Sequence, residues 1–396
     1  MRLSLVVSCL GPGLALLAAA LWSIWPVILR LRRIPQVLVY PENKDKDALR
    51  IGILGASFIA RAAVIHAADK RQDVLVTAVA ARSESKAKSY AQQHRIPAFH
   101  GGATAYRELL AREDVDAVYV GLPTALHLEW TLAALNAGKH VLLEKPAVLS
   151  AEEAHQVVKT MRETQLLVFE AAHHRYHPAA RRFKQLMTFG GDSEMASASF
   201  DVRFSMLDPP SLLNSIKDTL GLSVSLSSED RRRERIKNLD RWWYCVDMLL
   251  WSTGAYEAEV VFAKEERFSI SATLKLQLPN RSTTATLSMA RDSWRDPFTW
   301  SISAGNRSSE TSLRLQNFGF PFIWHRLDLI RNGQQTSEQL YGAGETTFEH
   351  QLGYFREAVR RGSLDKDASF LLTAQTIDLI LEATGTGQFS ITRDLT

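Results

Sequence analysis

The sequence has almost no cysteine: two residues in 396, Cys9 and Cys245. There is no CxxC pair and no Cys/His run at metal-ligand spacing. Nothing therefore points to a structural zinc site or to a disulfide-stapled secreted domain. A strong charge of one sign is lacking as well. The 47 Lys and Arg stand against 43 Asp and Glu, a formal net charge of +4. So small an excess gives no reason to expect nucleic acid as a partner. No internal repeat and no extended low-complexity tract is present, which excludes a repeat array. What is there is 46% hydrophobic and 23% charged. Those values are ordinary for a globular protein, and the length suits roughly two domains.

The one long hydrophobic run is N-terminal. Leu3–Leu29 carries no charged residue. A bilayer-spanning helix needs about 20 such residues, whereas the apolar core of a secretory signal has only about 7–15. Ala18–Ala20 imitates a cleavage site, but apolar residues continue past it. The pattern predicts an N-terminal transmembrane helix within an anchor over residues 1–33. Trp22 and Trp25 suit an interfacial belt. Arg30, Arg32 and Arg33 follow at once, so the positive-inside rule predicts a single-pass membrane protein with its C-terminal bulk in the cytosol. Residues 34–48 read as a linker, with two prolines and then alternating charge.

From Leu49 the pattern becomes regular. Apolar runs such as "RIGIL", "VLVTAVAA", "VDAVYVGL", "HVLLE" and "LLVFE" alternate with helical stretches to residue 170. Continuously apolar strands separated by helices predict an α/β domain whose parallel sheet is covered on both faces. Ser150 and Glu153 have capping-box spacing ahead of "AEEAHQVVKTMRE". Beyond Ala171 the period becomes two, in "MASASFDVRF", "FSISATLKLQL", "STTATLSMAR", "TWSISA", "SLRLQNF" and "HRLDLI". That predicts an α+β domain with a large, mostly antiparallel sheet, closed by two C-terminal helices.

The first turn of the parallel domain is "GILGASFIA". Gly55, Ser57 and Ala60 occupy the three places of G-x-G-x-x-G/A, with Phe58 and Ile59 between them. After a strand and before a helix, this turn suits a pyrophosphate, although a plain strand–turn–helix reads the same way. The second strand ends in Arg82 and Ser83, with Lys86 one turn on. An NAD site would have a carboxylate there. A cation and a hydroxyl suit a 2′-phosphate, hence NADP, although Ser83 also fits a simple helix cap. "HVLLEKP" ends an apolar strand in Glu144, Lys145 and Pro146. A lysine there either snorkels to solvent or is used by a ligand at the strand end.

The stretch from Gly121 to Pro146 carries P-T-x-x-H at Pro123–His127, A-G-K-H-V at Ala137–Val141 and E-K-P at Glu144–Pro146. "FEAAHHRYHP", Phe169–Pro178, and "TFEHQLGYFREAV" from Thr347 add two further matches. In these features the sequence resembles the glucose–fructose oxidoreductase/inositol dehydrogenase (Gfo/Idh/MocA) family, from about Leu49 to Phe389. Its nearest likeness is to the branch of dimeric dihydrodiol dehydrogenases and NADP-dependent D-xylose 1-dehydrogenases. The resemblance implies a dinucleotide-binding domain over 49–170 and a substrate-binding and oligomerisation domain over 171–396. It implies an NADP-dependent oxidoreductase acting on a hydroxyl of a sugar or cyclic diol, and a homo-oligomer formed through the open face of the second sheet. Cofactor contacts are implied at Gly55, Ser57, Phe58, Ile59, Ala60, Arg82, Ser83, Lys86, Leu122, Pro123, Thr124, His127, Glu144 and Lys145. Lys145 is implied as catalytic, with Arg175 or His177 on the substrate side.

The second catalytic element departs from the family pattern. In "NLDRWWYCVDML", Asp240 and Tyr244 match the branch's Asp and Tyr, four residues apart and so on one helical face. Trp242 stands where the family has glycine, and "SSEDRRRERIKN" replaces a glycine run. Core packing is the plain alternative for Trp242, Trp243 and Tyr244. A non-catalytic NADP-binding sensor or scaffold of the same fold is accordingly the rival reading. His173, His174 and His177 invite a metal, but Pro178 disturbs the helix and no carboxylate completes a set, so no metal is expected.

Overall fold

The computed structural model describes residues 43–189, 199–206, 242–266, 269–290, 298–305, 311–362 and 369–384. The expected anchor, Cys9 and Asp240 lie outside the described residues. Among the described residues, no helix is long and apolar enough to cross a membrane.

The first sheet has the strands β1 (Leu49–Leu54), β2 (Val74–Ala81), β3 (Ala98–Gly101), β4 (Ala117–Val120), β5 (His140–Leu143) and β6 (Val168–Glu170). Their order is β3-β2-β1-β4-β5-β6, and every neighbouring pair is parallel. The order reverses between β1 and β4, the switch point at whose carboxyl ends sheets of this kind bind their ligands. Continuous apolarity follows from burial on both faces. Ile51, Ile53, Tyr119 and Leu142 point into one core, while Leu54, Val118, Val120, Val141 and Leu143 point into the other.

The helical spacing after β1 is realised in three pieces, with a π-helical segment at Arg61–Ile65 between Phe58–Ala60 and His66–Asp69. The Ser150 box forms by half. Ser150 accepts from the Glu153 amide at 3.2 Å, but Glu153 accepts from the Leu149 amide at 2.9 Å. A complete capping box sits instead at Thr346 and Glu349, opening helix Thr347–Arg361.

The second sheet has β7 (Ser199–Met206), β8 (Glu257–Glu266), β9 (Ser269–Leu278), β10 (Arg281–Ala290), β11 (Phe298–Gly305), β12 (Ser312–Gln316), β13 (Arg326–Arg331) and β14 (Gln334–Glu338). Their order is β14-β13-β12-β11-β7-β10-β9-β8. The sheet is mixed, because β7 enters between β11 and β10 and runs parallel to β10. Its inner face, with Ile270, Leu274, Leu287, Ile302 and Leu315, packs on Phe183, Leu249, Ile377 and Ile380 from three helices. Its outer face carries Ser271, Lys275, Thr284, Thr286 and Arg314, all exposed.

The expected boundary near residue 170 divides the sequence but not the packing. Helix Thr347–Arg361 returns to the first domain and buries Leu352 and Phe355 in its core. Phe370, at the start of helix Ser369–Thr384, enters the core on the opposite face. This return brings Thr347 to the junction of the two sheets' helices, where the site lies.

Candidate active site

The turn after β1 is tight. The Ser57 amide donates to the Gly55 carbonyl at 2.8 Å, and Gly55 has a φ of +101°. A Cβ there would lie 2.9 Å from the Gly121 carbonyl oxygen, so glycine is required both by conformation and by the approach of the β4 end. Ser57 accepts from the Ala60 amide at 3.3 Å and caps the helix start. Tyr90 donates to the Ser57 carbonyl at 2.8 Å and fixes the turn from the other side. Burial pushes the Tyr90 hydroxyl up to about 12. Phe58 is 85% exposed, leaving the helix start open to a ligand. At the end of β2, Arg82, Ser83 and Lys86 are all exposed. Ser83 does cap helix Glu84–His94, accepting from the Lys86 amide at 3.3 Å.

At the next strand ends, Tyr119 donates to Glu144 Oε1 at 2.6 Å, and Glu144 Oε2 accepts from the Lys145 amide at 3.2 Å. Burial, and then the Glu144 carboxylate, push the Tyr119 hydroxyl well up. Glu144 thus sets the backbone that carries Lys145. The Lys145–Pro146 peptide is cis. His127, expected among the cofactor contacts, is only 1% exposed. Its Nε2 lies 2.8 Å from the Leu122 carbonyl and its Nδ1 lies 3.0 Å from the Pro146 carbonyl. It ties the loop after β4 to the loop after β5, which is a positioning role rather than a surface for ligand. Burial lowers its pKa, against the pull of those carbonyls.

Lys145 reaches across the junction. Its Nζ lies 4.5 Å from the centre of the Tyr244 ring, within the range of a cation–π contact. Tyr244 belongs to the helix over 242–253 and is buried with Trp242 and Trp243. The tryptophans therefore pack in the core of the second domain. The short 3₁₀ helix His173–Tyr176 follows β6 and docks on that helix through consecutive residues. His173 Nε2 lies 2.8 Å from Tyr244 Oη, and His173 Nδ1 lies 2.9 Å from Thr347 Oγ1. His174 Nε2 lies 2.9 Å from Asp247 Oδ2, with the ring nitrogen out of line for a good hydrogen bond. Arg175 grips Asp247 with two donors, Nε to Oδ2 at 2.8 Å and Nη2 to Oδ1. Asp247 and Tyr244 are three apart on the helix, so one face receives all three residues.

Several expectations are corrected here. Arg175, expected on the substrate side, is 2% exposed and is held by an Asp247 that is 0% exposed. A guanidinium so engaged is part of the frame. His177, the other residue expected on the substrate side, is buried as well. Its Nδ1 accepts from the Ala179 amide at 3.2 Å, and its ring centre lies 5.2 Å from that of His325 and 6.0 Å from that of His350. Burial, then His325 and His350, lower its pKa to about 3. Lys145 and Tyr244 are brought together. His173, Asp247 and Thr347 join them without having been singled out as site residues. For the last, the available signal was its place at the start of "TFEHQLGYFREAV". Among the described residues, no three His, Cys, Asp or Glu side chains gather in a metal-holding arrangement.

Residues 49–172 match the profile of the Gfo/Idh/MocA oxidoreductase family, NAD-binding Rossmann fold. The dTDP-3,4-didehydro-2,6-dideoxy-alpha-D-glucose 3-reductase of Streptomyces violaceoruber is 40% identical over 157 residues, 39% of this chain and 45% of that protein. The D-xylose 1-dehydrogenase (NADP(+)) 2 of Haloferax volcanii is 36% identical over 139 residues, 35% of this chain and 42% of that protein. The chain spans about half the length of the curated relatives it matches. Among solved structures, KijD10, a 3-ketoreductase from Actinomadura kijaniata in complex with NADP and TDP-benzene, superposes with a TM-score of 0.66. It is 25% identical, with 85% of this chain and 98% of that chain covered.

Proposed function

We propose that this chain, a member of the Gfo/Idh/MocA oxidoreductase family through residues 49–172, is an NADP-dependent dehydrogenase. It moves hydride between the nicotinamide and a hydroxyl-bearing carbon of a sugar or cyclic diol, in the manner of a D-xylose 1-dehydrogenase or a trans-dihydrodiol dehydrogenase. One observation carries the reading: the Lys145 amine stands 4.5 Å from the Tyr244 ring centre, at the carboxyl end of the strand next to the switch point. An ammonium and a phenol so placed can hold one hydroxyl between them and move its proton.

The residues present fit the cofactor. The open helix start at Phe58 and Ile59 offers amides to a diphosphate. Arg82, Ser83 and Lys86 offer charge and hydroxyl to a 2′-phosphate. Bound there, NADP supplies or takes up the hydride. Lys145 holds the substrate oxygen, Tyr244 exchanges a proton with it, and Glu144 keeps the Lys145 backbone in register.

In the same reading Leu3–Leu29 anchors the chain, with the enzyme on the side of Arg30–Arg33, and the outer face of the second sheet pairs with another copy. Removal of residues 1–33 is expected to move the protein from the membrane pellet to the supernatant. Continued pelleting of the truncated chain would refute the anchor.

The whole reading is tested by titrating the protein with NADPH and NADH by fluorescence. Turnover is then followed with aldoses, cyclic diols and a TDP-linked keto sugar. Tight NADPH binding without turnover on any of them would favour the sensor. Arg82→Asp is expected to weaken NADPH binding about tenfold to a hundredfold, the worth of a charge-assisted hydrogen bond or two, and to raise the relative preference for NADH. An unchanged preference would remove Arg82 from the site.

A further inference from the structure

We propose that His173 is a positioning residue for the proton step, holding the Tyr244 phenol at Nε2 while Thr347 holds its own Nδ1; this deepens, and rests on, the dehydrogenase reading above. The imidazole is buried, with Nε2 2.8 Å from Tyr244 Oη and Nδ1 2.9 Å from Thr347 Oγ1. The Phe348 ring centre lies 4.5 Å from its own and that of Phe320 5.8 Å. Two apolar rings and two hydroxyls therefore fix its orientation.

A neutral imidazole has one N–H and one lone pair. Each neighbour here is a hydroxyl and can either donate or accept. When Thr347 donates to Nδ1, the Nε2–H donates to Tyr244 Oη. The phenol's own proton is then not taken by His173 and can pass to a substrate oxygen. As a carbonyl is reduced, the O–H bond of Tyr244 breaks and one forms on the substrate oxygen. In oxidation the proton returns to Tyr244. The phenolate that exists in between keeps the Nε2–H as donor and the Lys145 charge beside its ring, and His173 gains and loses nothing.

The charged and titratable groups around this pair come from three elements. Lys145 comes from the end of β5, His174 from the 3₁₀ helix, and Asp247 from the 242–253 helix, where Arg175 occupies it. Burial, then His174 and Lys145, hold His173 well below the ordinary histidine pKa, opposed by Asp247. That direction favours the neutral imidazole the scheme needs.

The test compares His173→Phe, which keeps the ring in its aromatic shell, with His173→Gln, whose amide nitrogen reaches about as far as Nε2. In H173F, turnover at neutral pH is expected to fall about 10- to 100-fold at unchanged NADPH affinity. The pH of half-maximal oxidation rate is expected to rise by about one unit. H173Q is expected to regain most of the rate and the wild-type profile. Thr347→Val is expected to give a smaller shift in the same direction.

A readout independent of turnover is the ultraviolet tyrosinate titration of the whole protein. The transition missing from Tyr244→Phe is expected at higher pH in H173F and T347V. Profiles and tyrosinate transitions unmoved in H173F and T347V would overturn the proposal. So would equal loss in H173F and H173Q with the transition in place, the mark of packing alone. A wild-type protein that turns over nothing but whose tyrosinate transition moves in H173F would leave the pairing standing and refute the dehydrogenase.

Discussion

Lys145→Ala is expected to lower turnover roughly a thousandfold while NADPH binding stays within about twofold of wild type. The separation follows from where the two tasks are carried. The phosphates are held by the ends of β1 and β2, through the Gly55 turn and Arg82–Ser83. Lys145 belongs to the end of β5, and its amine points to Tyr244 rather than to those turns. Truncation removes the donor to the substrate oxygen and also the positive charge that favours a phenolate in the ring below it. Lys145→Met keeps the apolar stem of this half-buried side chain and removes the charge together with its N–H donors. It is expected to lose as much rate with no loss of thermal stability, so a fall in rate cannot be laid to a packing defect. Turnover in either variant within about threefold of wild type would remove Lys145 from the chemistry. The dehydrogenase reading would then lose the observation that carries it.

Much of this was legible in the residues because the information is local. The parallel domain announces itself through apolar strands that recur at helical intervals, and Gly55 and Lys145 sit at strand ends that the sequence marks unaided. The second sheet was legible wherever alternation held. It failed at β8, where a register shift between Val260 and Phe262 breaks the period of two. It failed also at β14, "QQTSE", an edge strand with no apolar face to betray it. The frame of the site was hidden for a different reason. His173 meets residues 71 and 174 positions away, and Arg175 meets a partner 72 positions away. Periodicity carries no trace of such pairs. The resemblance alone implied a substrate-side Arg175, and a buried arginine is rare enough that nothing local argued against it. The carboxylate that makes burial possible lies on the helix of Tyr244, one turn beyond it.

That pair sets the second large effect. Arg175→Met is expected to destabilise the protein by about 3–5 kcal/mol, because it leaves the Asp247 carboxylate buried without its guanidinium. Burial raises the Asp247 pKa, but Arg175, followed by His174, brings it below its ordinary value. A depressed carboxylate stabilises the fold above its unfolded pKa of about 3.9, and that stability is lost as pH falls through the folded value. His173, His174, His127 and His177 have their pKa values lowered chiefly by burial. Each adds stability that is present above about pH 6.5 and declines below it, since the unfolded imidazole takes up a proton first. Wild-type stability should therefore decline in two stages, from about pH 6.5 and again below about pH 4. In Arg175→Met the second stage should shrink, because a carboxylate without its partner is protonated in the fold more readily. Arg175→Met with Asp247→Leu removes both charges and is expected to regain most of the loss, as apolar replacements of buried pairs often do. Urea melts across that pH range decide it. A double variant as unstable as the single one would mean that the ion pair was not the source of the loss. A stable double variant that has lost turnover would mean that the clamp exists to present His173 to Tyr244, not to hold the fold.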